Sequence, residues 1–224
     1  MSDSENDFIE EELKVLFLGD SGVGKTSLVK RYCNNDFTRQ YFPTVGVDFF
    51  LKRLTLQKSR NVTLKIWDVG GSSQNSNLLD KYIFGSNIII LVYDITNHSS
   101  FCNIELWLEL IKNTNKQYHR KSMIAIFGNK CDLEHQRMIR FEKHQRYASE
   151  NHLFSQIVSG RTGENVLFLK ILLVAEYLGI KLTKSEVEEN QPVVRAEIST
   201  YSNLPPQPVR TLTNTSRSSV CSIQ

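Results

Sequence analysis

The sequence predicts an α/β fold: a six-stranded, mostly parallel sheet with one antiparallel hairpin strand and helices on both faces. Strand-like apolar runs at 13–18, 46–56, 61–67, 88–94, 122–128 and 154–158 alternate with helical patterns at 26–33, 99–116, 137–151 and 164–179. Such alternation buries a parallel sheet between helical crossovers. The runs 46–56 and 61–67 are separated only by 57–60, too short for a crossover, so they pair as an antiparallel hairpin. The first run breaks into a glycine-rich segment that opens a helix, the place where α/β proteins hold phosphate groups.

In chain order, residues 1–12 are acidic and polar and are expected to be a disordered N-terminus. That composition is the opposite of a secretory or transit leader. Residues 13–18 form the first buried strand, and 26–33 the helix behind the glycine loop. In 61–67, Val62, Leu64 and Ile66 alternate with Thr63 and Lys65, so one face is buried. A weaker helical stretch lies at 76–84, and the run 88–94 is apolar throughout, as a central strand requires. The helix at 164–179 is apolar nearly all round and should dock on the sheet. These elements make one nucleotide-binding domain, 13–183. From 184 to 224 come four of the five prolines, many Ser and Thr, and few large apolar residues. That segment is expected to be a flexible tail.

Composition excludes several classes. A net charge of +3 is too small for a nucleic-acid binder, and no apolar run approaches the ~20 residues of a membrane span. Cys33, Cys102, Cys131 and Cys221 lack metal-ligand spacing and read as free thiols of a cytosolic chain.

Three motifs carry the chemistry. The segment 19–26, G-D-S-G-V-G-K-T, is a phosphate loop. Its Gly22, Val23 and Gly24 N–H groups converge on phosphate oxygens, Lys25 neutralises the terminal phosphates, Thr26 supplies a hydroxyl for Mg²⁺, and Ser27 continues the cradle into the helix. Asp68 ends a strand and is followed by Val69, Gly70 and Gly71, an arrangement that places a carboxylate near Mg²⁺ and a glycine N–H near a terminal phosphate. Asn129-Lys130-Cys131-Asp132 follows the fifth strand. The Asp132 carboxylate can accept from N1–H and N2–H₂ of guanine, which adenine cannot offer. Lys130 would lie over the base, and Asn129 would tie loops together.

Together these residues resemble the Ras superfamily of small GTPases over roughly 13–181, and the stretch Y-F-P-T-V-G-V-D-F resembles the first switch of the Rab family. Within that family the similarity is greatest to its twenty-eight subgroup, through L-D-K-Y-I, Y-D-I-T, L-G-I-K-L, the paired glycines and the chain end. The resemblance implies a P-loop GTPase that switches between GTP and GDP with Mg²⁺. It implies that Thr44 ligates Mg²⁺ and senses the γ-phosphate, and that Phe37 packs on the guanine. Ser159, Gly160 and Arg161 match the loop whose backbone N–H contacts the guanine oxygen, with Gly and Arg departing from the family pattern. Phe49, Trp67 and Tyr82 match an aromatic triad presented to effectors. Implied partners are effectors, an exchange factor and a GAP acting on a monomer in vesicle or ciliary traffic.

Two further positions matter. The family places Gln after the second-switch glycine to orient the attacking water; here that residue is Ser72. Ser is too short to reach the water and lacks the amide's paired donor and acceptor, so weak hydrolysis is expected. Gln74 could replace it only by slippage of the loop. The terminal Cys221-Ser222-Ile223-Gln224 fits C-a-a-X, the pattern read for farnesylation. That implies a prenyltransferase, a prenyl-binding carrier, and a chain exchanging between the cytoplasmic face of membranes and a cytosolic pool, because one such lipid binds marginally. For this subgroup the resemblance points to the base of the cilium.

Overall fold

The computed structural model describes residues 11–56 and 60–180. The six strands are β1 Glu11–Leu18, β2 Val47–Leu56, β3 Arg60–Val69, β4 Ile88–Asp94, β5 Met123–Asn129 and β6 Phe154–Ile157. They form one sheet in the order β2-β3-β1-β4-β5-β6. Only β2 and β3 run antiparallel, in the register Phe49 with Trp67 and Leu56 with Arg60. The remaining pairs are parallel, as right-handed helical crossovers require.

Six α-helices cover the sheet: α1 Lys25–Asn34, α2 Leu79–Ile83, α3 His98–Cys102, α4 Ile104–Gln117, α5 Phe141–Glu150 and α6 Val166–Leu178. Strand alternation sends Val15 and Phe17, with Leu64 and Ile90, against Leu28 and Val29 of α1 and Leu173 and Val174 of α6. Leu16 and Leu18, with Ile89 and Leu91, face Leu79 of α2, Phe101 of α3, Trp107 and Leu108 of α4 and Ala148 of α5. β4 is buried at every position, as its uniform apolar run requires.

Most boundaries shift by a few residues, and three departures have a clear physical cause. β1 starts at Glu11, inside the stretch expected to be disordered, because Glu11 and Glu12 pair with Val62 and Thr63 of β3 and Lys65 bridges Glu12 at 2.5 Å. The helix expected over 99–116 divides at Asn103 into α3 and α4. The helix expected from 137 begins at Phe141, because Ile139 is fully buried and its N–H donates to the Ile95 carbonyl. Residues 1–10 and the tail, with Cys221, lie outside the described residues.

Candidate functional site

The carboxyl ends of β1, β3, β5 and β6 open onto one cleft of about 760 Å³, where an open α/β sheet places its ligand. Its walls are the phosphate loop, the segment 37–44, the glycines after β3, and the loops after β5 and β6. Phe37, Thr44, Gly71, Ser72, Asn129, Lys130, Asp132, Gly160 and Arg161 therefore meet Gly22, Gly24, Lys25, Thr26 and Ser27 around one space.

The loop's geometry needs its glycines. Gly24 has φ +93°, and a Cβ there would lie 2.4 Å from Asn129 Nδ2. Behind it, Asn129 Nδ2 donates to the Val23 carbonyl at 2.8 Å, and Asn129 Oδ1 accepts from the Gly160 N–H at 3.0 Å. Asn129 thus staples the phosphate loop to the loop after β6. The Gly160 N–H, expected to face the guanine oxygen, points to Asn129 instead.

Lys25 is 5% exposed, and its ammonium donates to the carbonyls of Gly19 and Asp20 at 2.7 and 2.8 Å. Desolvation lowers its pKa to about 8, opposed by the nearby charges of Asp68 and Asp20. A phosphate beside it would restore the charged form.

Three oxygens from separate segments converge below the cleft. Thr26 Oγ1 donates to Asp68 Oδ2 at 2.5 Å and lies 2.8 Å from Thr44 Oγ1. Asp68 is fully buried, and its Oδ1 has no hydrogen-bond partner. Burial raises the Asp68 pKa, against the lowering influence of Thr26 and Lys25. A buried carboxylate oxygen without a partner, beside two hydroxyls, fits a hard divalent cation with oxygen ligands.

The segment before β2 and the glycines after β3 also meet each other and the phosphate loop. Gly70 N–H donates to the Gly46 carbonyl at 2.8 Å. A Cβ on Gly71 would come within 2.1 Å of the Ser21 nitrogen, so the second glycine rests directly on the phosphate loop. Ser72 is exposed in the short 3-10 turn Gly71–Asn75 and lines the cleft. Gln74, half-buried, is not among the described lining residues, so the turn has not slipped to present it.

On the base side, Asp132 Oδ1 accepts from Ser159 Oγ at 2.7 Å, and Arg161 approaches Oδ2 at 3.5 Å. Lys130 has φ +69° and pairs with Asp94 at 2.6 Å. Phe49, Trp67 and Tyr82 lie apart from the cleft. Phe49 meets Trp67 edge-on at 4.6 Å, and Trp67 meets Tyr82 at 6.1 Å.

Several positioning residues escaped sequence reasoning. Asp20 accepts from Asn103 Nδ2 at 2.7 Å and Trp107 Nε1 at 3.0 Å, anchoring the phosphate loop to α4. Arg31 of α1 donates to the carbonyls of Gly160 and Arg161. Asp94 holds Lys130 while also accepting from Thr96. A carboxylate ending the fourth strand was a visible signal; the long-range partners of Asp20 and Arg31 left none.

The Ras family model matches residues 14–176. The chain belongs to the Ras family, in its Rab branch. This GTPase is 36% identical over 197 residues to Ras-related protein Rab-28 of Caenorhabditis elegans, covering 88% of the chain and 79% of that relative. It is 41% identical over 132 residues to the Ypt/Rab-type GTPase YPT7 of Saccharomyces cerevisiae, covering 58% and 64%. To Ras-related protein Rab-13 of Rattus norvegicus it is 36% identical over 154 residues, covering 68% and 73%. As a family member it binds GTP and GDP and hydrolyses GTP.

Proposed function

We propose that this GTPase is a membrane-associated trafficking switch that holds GTP well and hydrolyses it slowly. The observation that carries the reading is the convergence of both switch segments on the phosphate loop, Thr44 through Thr26 and Gly71 through Ser21. Each contact would be strengthened by a γ-phosphate and lost with it, which is how a phosphate becomes a conformational signal.

Thr26, Thr44 and Asp68 would hold Mg²⁺, whose charge offsets that building on the phosphate oxygens. Lys25 gives up its carbonyl partners for phosphate oxygens, and the N–H groups of Gly22 to Ser27 orient the chain of phosphates. Asp132 accepts the guanine N–H groups, with Ser159 and Arg161 fixing its carboxylate. Lys130, steered by Asp94, and Phe37 flank the base. With Gly160 N–H given to Asn129, the base oxygen is served less well, in keeping with the looser Ser-Gly-Arg loop.

The chemical step lacks a water-orienting amide. Ser72 costs about one to two decades in intrinsic rate, roughly 1.4–2.7 kcal/mol in barrier. Ser72 also favours a second reading, a GTP-loaded scaffold that scarcely turns over. Nucleotide recovered from the purified chain separates the two: mostly GDP supports the switch, retained GTP the scaffold.

Phe49, Trp67 and Tyr82 form the effector face, with Phe49 62% exposed as an anchor for a partner. Farnesylation at Cys221 would supply marginal, reversible membrane attachment and a carrier-bound pool. Expression with Cys221→Ser should abolish recovery in membranes, and unchanged fractionation would refute the lipid assignment. A location at the cilium base is the subgroup's implication, tested by imaging the tagged chain in ciliated cells.

A further inference from the structure

We propose that the end of the sheet opposite the nucleotide cleft carries a second membrane contact, a basic-aromatic patch for anionic phospholipid. It rests on the membrane-associated reading above, but not on lipidation. The C-terminus of α4 and the turn after it read K-Q-Y-H-R-K, and Lys116, Tyr118, His119, Arg120 and Lys121 are all exposed. Among the described residues, Lys116, Arg120 and Lys121 make no ion pair, so three cations stand free in water. Tyr118, 40% exposed, packs edge-on against Phe84, 46% exposed, with ring centres 4.9 Å apart.

The patch is rigidly built. Ser122 Oγ donates to the Ser86 carbonyl at 2.8 Å, and the Arg120 N–H to the Asn115 carbonyl. Thr114 Oγ1, one turn before the cations, donates to Asp80, an exposed carboxylate that makes no ion pair with them. Lys14 Nζ donates to the Phe84 carbonyl, which fixes the aromatic.

Three unpaired cations beside two exposed rings select an anionic bilayer as the occupant. Tyr177, in the last turn of α6, accepts from Asn87 Nδ2 at 2.8 Å, and Asn87 accepts the Met123 N–H at the start of β5. The last turn of α6 therefore lies at this same end of the sheet. Free cations beside exposed aromatics suit that interface: Lys and Arg meet anionic headgroups while rings sit at headgroup level. Such a patch holds an anionic surface whether or not the chain carries a lipid.

The test uses the full chain without its lipid, sedimented with phosphatidylcholine vesicles containing or lacking 30% phosphatidylserine. Binding is expected only with phosphatidylserine and should weaken with salt. Each cation should contribute about fivefold, so Lys116→Ala/Arg120→Ala/Lys121→Ala should weaken binding about a hundredfold. Phe84→Ala/Tyr118→Ala should weaken it at unchanged charge. A three-charge control, Arg140→Gln/Lys143→Gln/Arg146→Gln, around and within α5, should bind like the parent. Nucleotide exchange checks that each variant is folded. Equal sedimentation with neutral vesicles, or a triple variant that binds like the parent or like the control, would overturn the proposal.

Discussion

At Ser72 the side chain ends one atom beyond Cβ, and on the exposed 3-10 turn it can touch the cleft without reaching across it. Ser72→Gln should raise single-turnover hydrolysis by about ten- to a hundredfold. A variant no faster than the parent would remove the assigned cause of slow turnover. His144 sets a different behaviour. Its ring is fully buried, Nδ1 meets the Tyr93 hydroxyl at 3.1 Å, and Nε2 has no partner. Burial, helped by Arg137, lowers its pKa from 6.5 to about 4. The folded state therefore binds its proton less readily than the unfolded state. The stability this contributes is fully present above pH 6.5 and is lost as pH falls toward 4. Over that window the loss is at most about 3 kcal/mol. Urea midpoints should fall between pH 7 and pH 5, and His144→Phe should flatten that slope.

At the scale of elements, the paired glycines after β3 couple two switches. Gly70 has ordinary extended angles, φ −58° and ψ 135°, so its backbone alone would accept Ala. The neighbour forbids it: a Cβ would lie 2.3 Å from the Thr44 carbonyl oxygen. Gly70→Ala should push the first switch off the second and lower affinity for GTP more than for GDP, read by competition binding of the two nucleotides. The phosphate loop is held from the opposite side by Asp20, through Asn103, which precedes α4, and Trp107 within it. A carboxylate accepting two hydrogen bonds is worth about 1.5–3 kcal/mol for each. Asp20→Ala should weaken GDP and GTP binding alike, by tenfold or more, a pattern that distinguishes a loop anchor from a switch contact.

For the whole molecule, the cleft gathers buried charge that has no full complement within the protein, at Lys25 and at Asp68 Oδ1. Nucleotide and Mg²⁺ supply the missing partners. At ligand a hundred times above Kd, the linkage contributes about 2.7 kcal/mol. For a domain of this size that corresponds to a Tm roughly 5–10 °C higher than in the chain stripped with EDTA and phosphatase. An unchanged Tm would mean that the cleft is not coupled to the folded state.

Alternating strand and helix patterns, the short link at 57–60 and three spaced motifs were enough to read the sheet, its single antiparallel pair and most of the cleft, because each rests on local periodicity or on residues adjacent in the chain. The place of Ser72 after Gly71 was likewise legible, and its consequence for hydrolysis is the prediction made for Ser72→Gln. The start of β1 was misjudged because Glu11 and Glu12 look solvated until β3 pairs with them. The helix expected from 137 was shortened by Ile139, whose burial against β4's exit depends on a partner 44 residues away, Ile95. Asp20, Arg31 and Asp94 became positioning residues only when α4, the loop after β6 and Lys130 arrived beside them. Thus the sequence by itself determined which groups could meet a guanine nucleotide, since phosphate, cation and base each demand particular side chains at close spacing. Only the tertiary structure decided what holds those groups still, because that is done by hydrogen bonds between residues 27 to 106 positions apart, about which local pattern carries no information.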